Sequence, residues 1–179
     1  SGGLRALMVE LGNKLNLSVK TVTGQTLGEC IKGSENFNRD VIRTLDSPVY
    51  HEGSLAVLKG NLAPDGAVIK PAAMDPKFQK HKGPAIVADS YAELKKIIND
   101  EEYPITADHV LVLRNAGPKG GPGMPEWGMI PMPKALLKQG HRDMIRLSDA
   151  RMSGTSYGAC ILHVAPEAFI GGPLALIKT

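Results

Sequence analysis

Val110-Leu111-Val112-Leu113-Arg114-Asn115-Ala116-Gly117-Pro118-Lys119-Gly120-Gly121-Pro122-Gly123 is a four-residue apolar run that breaks into a loop of glycine and proline. A run that short, bounded by turn residues, reads as a buried strand. The pattern recurs downstream, where Met144, Ile145 and Leu147 lead into Ser148-Asp149-Ala150-Arg151-Met152-Ser153-Gly154-Thr155-Ser156-Tyr157-Gly158. Glycine at that density lets a backbone approach a ligand closely and reach positive φ. Strands that end in such loops deliver reactive side chains to a site.

Working outward, short apolar runs at 55–58, 67–70, 85–88, 159–164 and 174–177 read as further strands, and 61–66 (Asn-Leu-Ala-Pro-Asp-Gly) as a turn. Ser90 with Glu93 three residues on is a capping box, and Leu94, Ile97 and Ile98 form the apolar face of the helix it starts. A second short helix runs from Lys134 to Lys138 and stops at Gly140. The N-terminal part differs. Leu4, Leu7, Met8, Leu11 and Leu15 recur at spacings of three and four, a helix ending near Asn16, and Thr26 with Glu29 marks another helical start. The rhythm changes near Leu45 to Tyr50. The expected architecture is therefore mixed β with α: a β/β/α barrel-like domain over 47–179, preceded over 1–46 by the helical tail of another domain.

Composition narrows the function. A net charge of +3 without basic runs interleaved with aromatics gives no case for nucleic acid. No apolar run approaches the ~18 residues of a membrane helix, and no signal-peptide pattern opens the chain. Two cysteines, Cys30 and Cys160, stand 130 positions apart, so neither a disulfide scaffold nor a zinc motif is present and a reducing cytoplasm is the expectation. Ser1-Gly2-Gly3 running straight into an amphipathic segment reads as a chain cut from something longer.

The chemistry-bearing residues divide as follows. Gly154-Thr155-Ser156-Tyr157-Gly158 has the G-x-S-x-G form, but a hydrolase elbow needs a helix after it and then an acid before a histidine. Here a strand follows, and His163 precedes Glu167, the only later acid. Lys119 is followed by glycines and a proline, so no Walker loop opens there. Amides around Gly120 and Gly121 are the right kind of donors for a small anion nest that would take a carboxylate or phosphate. Glu126, between Pro125 and Trp127, is either a ligand for a hard cation such as Mg²⁺ or a solvated surface acid. Ser153 is either a loop serine or, if neighbours or a metal lower its pKa, a base or nucleophile. Arg151 can clamp a carboxylate through its fork, with Asp149 placed to orient it. His51, His81, His109, His141 and His163 are scattered and read as structural or surface groups.

Taken together, residues 53–66, 117–126 and 149–154 resemble, in order and spacing, the C-terminal region of the dihydroxy-acid dehydratase / 6-phosphogluconate dehydratase family. The segments 124–128 and 153–160 look most like the sugar-acid branch, the pentonate (arabinonate or xylonate) dehydratases. The resemblance implies a hydro-lyase that converts a 2,3-dihydroxy acid into a 2-keto-3-deoxy acid. It implies an iron–sulfur cluster (2Fe–2S) on the departing hydroxyl and Mg²⁺ at the carboxylate end. By the same resemblance Ser153 is the base on the C2 proton, Glu126 a Mg²⁺ ligand, and Thr155 lies against substrate, while Arg151 as the carboxylate clamp and Gly120 and Gly121 as the anion nest complete the expected substrate contacts. The family's cluster cysteines have no counterpart at Cys30 or Cys160, so the cluster ligands belong to an N-terminal domain outside this chain, and the chain alone is expected to be inactive. An aldonic acid substrate, that N-terminal domain and a homo-oligomer are the implied partners. The resemblance also leaves open the dihydroxy-acid dehydratase of branched-chain amino-acid synthesis. Swivelling barrels of this kind further allow a phosphohistidine-type carrier or a non-catalytic interaction domain.

Overall fold

The computed structural model describes residues 1–123, 125–151 and 157–179, which fall into two compact units, Ser1–Glu52 and Gly53–Thr179. In the first, α1 (Gly3–Leu11) is shorter than the apolar spacing predicts. Gly12 adopts φ 49° and breaks it, and Gly12–Lys14 continues as a 3₁₀ turn. The second helix, α2 (Leu27–Ile31), begins at the predicted capping box. The Glu29 amide donates to Thr26 Oγ1 at 3.2 Å, and the Thr26 amide donates to Glu29 Oε2 at 2.7 Å.

The second unit is a six-stranded mixed sheet. Its strands are β1 (Ala56–Gly60), β2 (Ala63–Ile69), β3 (Ala85–Ala88), β4 (Val110–Leu113), β5 (Arg146–Ser148) and β6 (Cys160–Ala165), in the order β1-β2-β6-β5-β4-β3. Strands β3, β4, β5 and β6 run parallel, while β2 pairs antiparallel with both β1 and β6. The expectation of mixed β with a few helices holds, with β1 and β3 at the two edges of the sheet.

Alternation along β4 explains the layering. Leu111 and Leu113 face one side, where they pack with Leu94, Ile97 and Ile98 of α3 (Tyr91–Asn99) and Leu136 of α4 (Lys134–Lys138). Val110 and Val112 face the other, with Val164, Ala168 and Leu174. A strand covered on both faces reads as an unbroken apolar run, which is why Val-Leu-Val-Leu carries no polar residue. Ser90 caps α3 as predicted by accepting from the Glu93 amide at 3.2 Å, while Glu93 Oε2 reaches the Asp89 amide at 2.8 Å.

Two readings change. Pro64-Asp65-Gly66 lies inside β2, because Gly66 at φ 115° makes a register shift in the strand where turn chemistry predicted a loop. The run 174–177 is no strand: Pro173 opens a 3₁₀ turn, Pro173–Leu176, that buries Leu174. No helix among the described residues is long and apolar enough to cross a membrane.

Candidate active site

Parallel strands bring their loops to one end. Asp89 and Ser90 follow β3, the glycine-rich loop from Asn115 follows β4, Asp149 to Arg151 follow β5, and Glu167 closely follows β6. In open α/β sheets the crevice outside the carboxyl ends of the strands is where ligands bind. Both glycine-rich segments leave the sheet there.

Two buried carboxylates fasten the first loop. Asp149, 1% exposed, accepts from the amides of Ala116 at 3.0 Å, Asn115 at 3.2 Å and Ala168 at 2.8 Å. Glu167 accepts from the Lys119 amide at 2.9 and 3.1 Å. Its carboxylate packs against Gly117, where any Cβ would collide with it. Burial pushes the Asp149 carboxyl above its ordinary value. The three amides hold it down and the Glu167 charge adds to the rise. The folded state therefore binds a proton at pH values where the unfolded chain, with an Asp near ~3.9, has lost it. The Asp149 contribution to stability is full below ~3.9 and falls as pH rises toward the raised folded value. Urea denaturation across that window is expected to show this downward slope in the difference between the wild type and Asp149→Asn, because the lowered carboxylates Asp75 and Asp89 contribute the opposite slope to both proteins.

Arg151 joins the two segments. Its Nη2 donates to the Gly121 carbonyl at 2.9 Å, and its own carbonyl accepts from the Gly128 amide at 2.8 Å. Gly128 has to be glycine, because a Cβ there would stand 2.7 Å from that carbonyl. The expected pairing of Asp149 with Arg151 is replaced: Asp149 binds backbone amides of the first loop, and Arg151 binds the same loop further along. Three residues thus grip the segment that carries Glu126 on both sides of it. Arg151 Nε is buried without a hydrogen-bond partner among the described residues.

A second clamp sits at the start of β5. Arg146, 1% exposed, donates through Nη1 to the Ile130 carbonyl at 2.8 Å and through Nη2 to the Tyr157 carbonyl at 2.8 Å. The same nitrogen meets Asp143 Oδ1 at 3.0 Å. Asp143 in turn accepts from the amides of Asp75, Met144 and Ala159. One guanidinium therefore holds the chain just past Glu126 and just past the 152–156 stretch. This pair escaped the sequence reading, although a charge inside Met144-Ile145-Arg146-Leu147 was its signal: an arginine in a buried strand must be paired.

The predicted site residues lie as follows. Glu126 is exposed between the two anchor points, Gly121 and Gly128 are buried, and Gly120 is partly buried. The Gly121 amide donates within its loop to the Gly117 carbonyl at 2.7 Å. Ser153 and Thr155 lie outside the described residues. Among the described residues no group of three or more His, Cys, Asp or Glu stands together to hold a metal. Cys160 is buried and its thiol is pushed up by that burial, while Cys30 belongs to the other unit. His81 and His109 are tied into the structure by hydrogen bonds, His81 with the Asp108 carbonyl at 2.9 Å and His109 with Thr106 at 2.9 Å.

Beside the glycine loop a cleft of about 660 Å³ opens between the ends of β3 and β4, lined by Tyr91, Lys95, Asn115, Gly120 and Trp127 among others. The Tyr91 and Trp127 rings stack at 5.6 Å with 5° between their planes.

Comparison with known proteins gives the family. The family model described as "Dihydroxy-acid/6-phosphogluconate dehydratase C-terminal" matches residues 40–179. The chain is 52% identical over 182 residues to a 6-deoxy-6-sulfo-D-gluconate dehydratase of Pseudomonas putida, covering all of this chain and 31% of that protein. It is 48% identical to an L-arabonate dehydratase of Azospirillum brasilense, covering 99% of this chain and 31% of that protein. A dihydroxy-acid dehydratase of Methanothrix thermoacetophila is 45% identical, with 99% and 33% covered. The chain thus spans about a third of the length of these relatives. It belongs to the dihydroxy-acid/6-phosphogluconate dehydratase C-terminal family, and the matched span takes in both glycine-rich segments.

Proposed function

We propose that this chain is the C-terminal part of a cytoplasmic hydro-lyase that removes water from a 2,3-dihydroxy sugar acid and yields a 2-keto-3-deoxy acid. The observation that carries the reading is the double fastening of the Glu126 loop to the segment leading into Ser153, through Asp149 and Arg151. Such rigidity is what a constellation needs when its groups act on adjacent carbons of one substrate. Ser153, as its alkoxide, takes the C2 proton, the electron pair forms the C2–C3 double bond, hydroxide leaves C3 and departs as water with the proton returned from Ser153, and the enol tautomerises to the ketone. Arg151 and Thr155 orient the acid, and Gly120 and Gly121 let the loop backbone close on it. Sugar acids are favoured because relatives of 52% and 48% identity bear the names of sugar-acid dehydratases.

The residues described do not by themselves fit either implied cofactor. Glu126 is one carboxylate, whereas Mg²⁺ demands near-octahedral oxygen coordination, and no group of three candidate ligands accompanies it among the described residues. Two cysteines in separate units fall short of a cluster's usual four thiolates. An iron–sulfur cluster and Mg²⁺ in the whole protein would be held mainly by an N-terminal domain, of which residues 1–46 form the tail. In this reading the chain alone is inactive and the whole protein is a homo-oligomer. The test is an assay of the full-length, cofactor-loaded protein against C4 to C6 aldonic acids and a branched 2,3-dihydroxy acid. Formation of 2-keto-3-deoxy acids from the aldonic acids is expected. Turnover of the branched acid alone, or of none, contradicts the reading.

A further inference from the structure

We infer that the cleft between the ends of β3 and β4 is the subsite for the far end of the substrate, and that Lys95 there recognises a second, terminal oxyanion. The inference rests on the dehydratase reading above and adds to it the part of the substrate remote from the chemistry. Three observations carry it. The cleft lies outside the carboxyl ends of two parallel strands, and it shares Gly120 with the fastened loop. Trp127, which lines it, is the neighbour of Glu126 in the chain, so the cleft adjoins the loop that carries Glu126. Its volume of about 660 Å³ is that of a typical small-molecule site and exceeds what a four-carbon acid would fill.

The chemistry of the wall sets the ligand class. The stacked Tyr91 and Trp127 rings give a flat, rigid face for the carbon skeleton, with Asn115 beside it for hydroxyls. Asp89 also lines the cleft, but its carboxylate is taken up by Arg114 and by the Asn115 amide group, which leaves little negative charge to repel an anion. Lys95 projects from α3 with no ion pair among the described residues, and it also borders a smaller cavity of about 310 Å³ with Lys134. An ammonium lining the same cleft as these rings suits a phosphate, sulfonate or carboxylate as the terminal group.

Isothermal titration of the full-length protein with D-gluconate, D-gluconate 6-phosphate and D-glucarate tests this without needing turnover. The wild type is expected to bind the two acids with a terminal oxyanion more tightly than D-gluconate. Lys95→Met should weaken at least one of them about 10-fold, the loss of one charge-assisted hydrogen bond, and change D-gluconate less than about twofold. Whichever acid loses more identifies the oxyanion. Tyr91→Ala should weaken all three. Equal binding of all three acids by the wild type overturns the subsite, and so does a Lys95→Met variant that affects all alike or none. Absence of turnover on every aldonic acid would contradict the dehydratase reading instead, and the titration would still decide the cleft.

Discussion

Asp143→Ala is expected to be the most damaging single substitution outside the reacting groups, at about 3–5 kcal/mol of stability, the usual cost of breaking a buried ion pair from one side. The reason is the Arg146 it leaves behind. That guanidinium is 1% exposed, and without Asp143 its charge sits uncompensated in the core. The amides of Asp75, Met144 and Ala159 lose their acceptor in the same step. Against a typical total of ~5–15 kcal/mol for a domain this is a large fraction. Urea denaturation should show a lower midpoint. The double substitution Asp143→Leu with Arg146→Met should recover only the part due to the unpaired charge, because the three amides still lack an acceptor and the Ile130 and Tyr157 carbonyls lose their donor. A single variant as stable as wild type would mean that the pair is solvated in solution.

Gly158→Ala carries the second large effect, about 3 kcal/mol or more. Gly158 adopts φ 76°, a left-handed conformation that costs a residue with a Cβ ~1–3 kcal/mol. A Cβ there would also run into Arg146 Nη2 and Asp143 Oδ1, both fixed by the clamp, and relieving such a clash costs a further ~1–3 kcal/mol. Gly140 is the control. It has φ 87° and open space around the Cβ position, so Gly140→Ala should show the backbone cost alone. Thermal melts of the two variants separate the terms, and equal destabilisation would contradict the steric part.

Much of this was legible from short-range pattern. The apolar runs at β3 and β4, the capping residues Thr26 and Ser90, and the stop at Gly140 are local signals, and local hydrogen bonding realises them. What failed was local chemistry overruled by context. Pro64-Asp65-Gly66 is turn-like, yet β1 and β6 flank it and draw it into a strand with an irregular register. Leu174 to Ile177 is apolar enough for a strand, but Pro173 and the Val112 face of the sheet take it as a buried 3₁₀ turn. In the site, composition picked out Glu126, Arg151 and the glycines, and it singled out Asp149 with the wrong partner, while the holding roles of Glu167, Asp143 and Arg146 were missed. Asp149, Glu167, Asp143 and Arg146 act mostly on backbone groups far off in the chain, up to 68 positions for Asp143 and the Asp75 amide, and no spacing rule reports such partners.

The central claim is that the fastened loops present Ser153 as the base at C2 of a sugar acid. Ser153→Ala in the full-length, cofactor-loaded protein measures this directly, with 2-keto-3-deoxy acid formation and exchange of the C2 proton with solvent as paired readouts. Both should fall by at least about 10³-fold, toward the scale seen when a catalytic base is removed, with the thermal melt unchanged. A variant that folds and still exchanges the C2 proton at the wild-type rate would contradict the account.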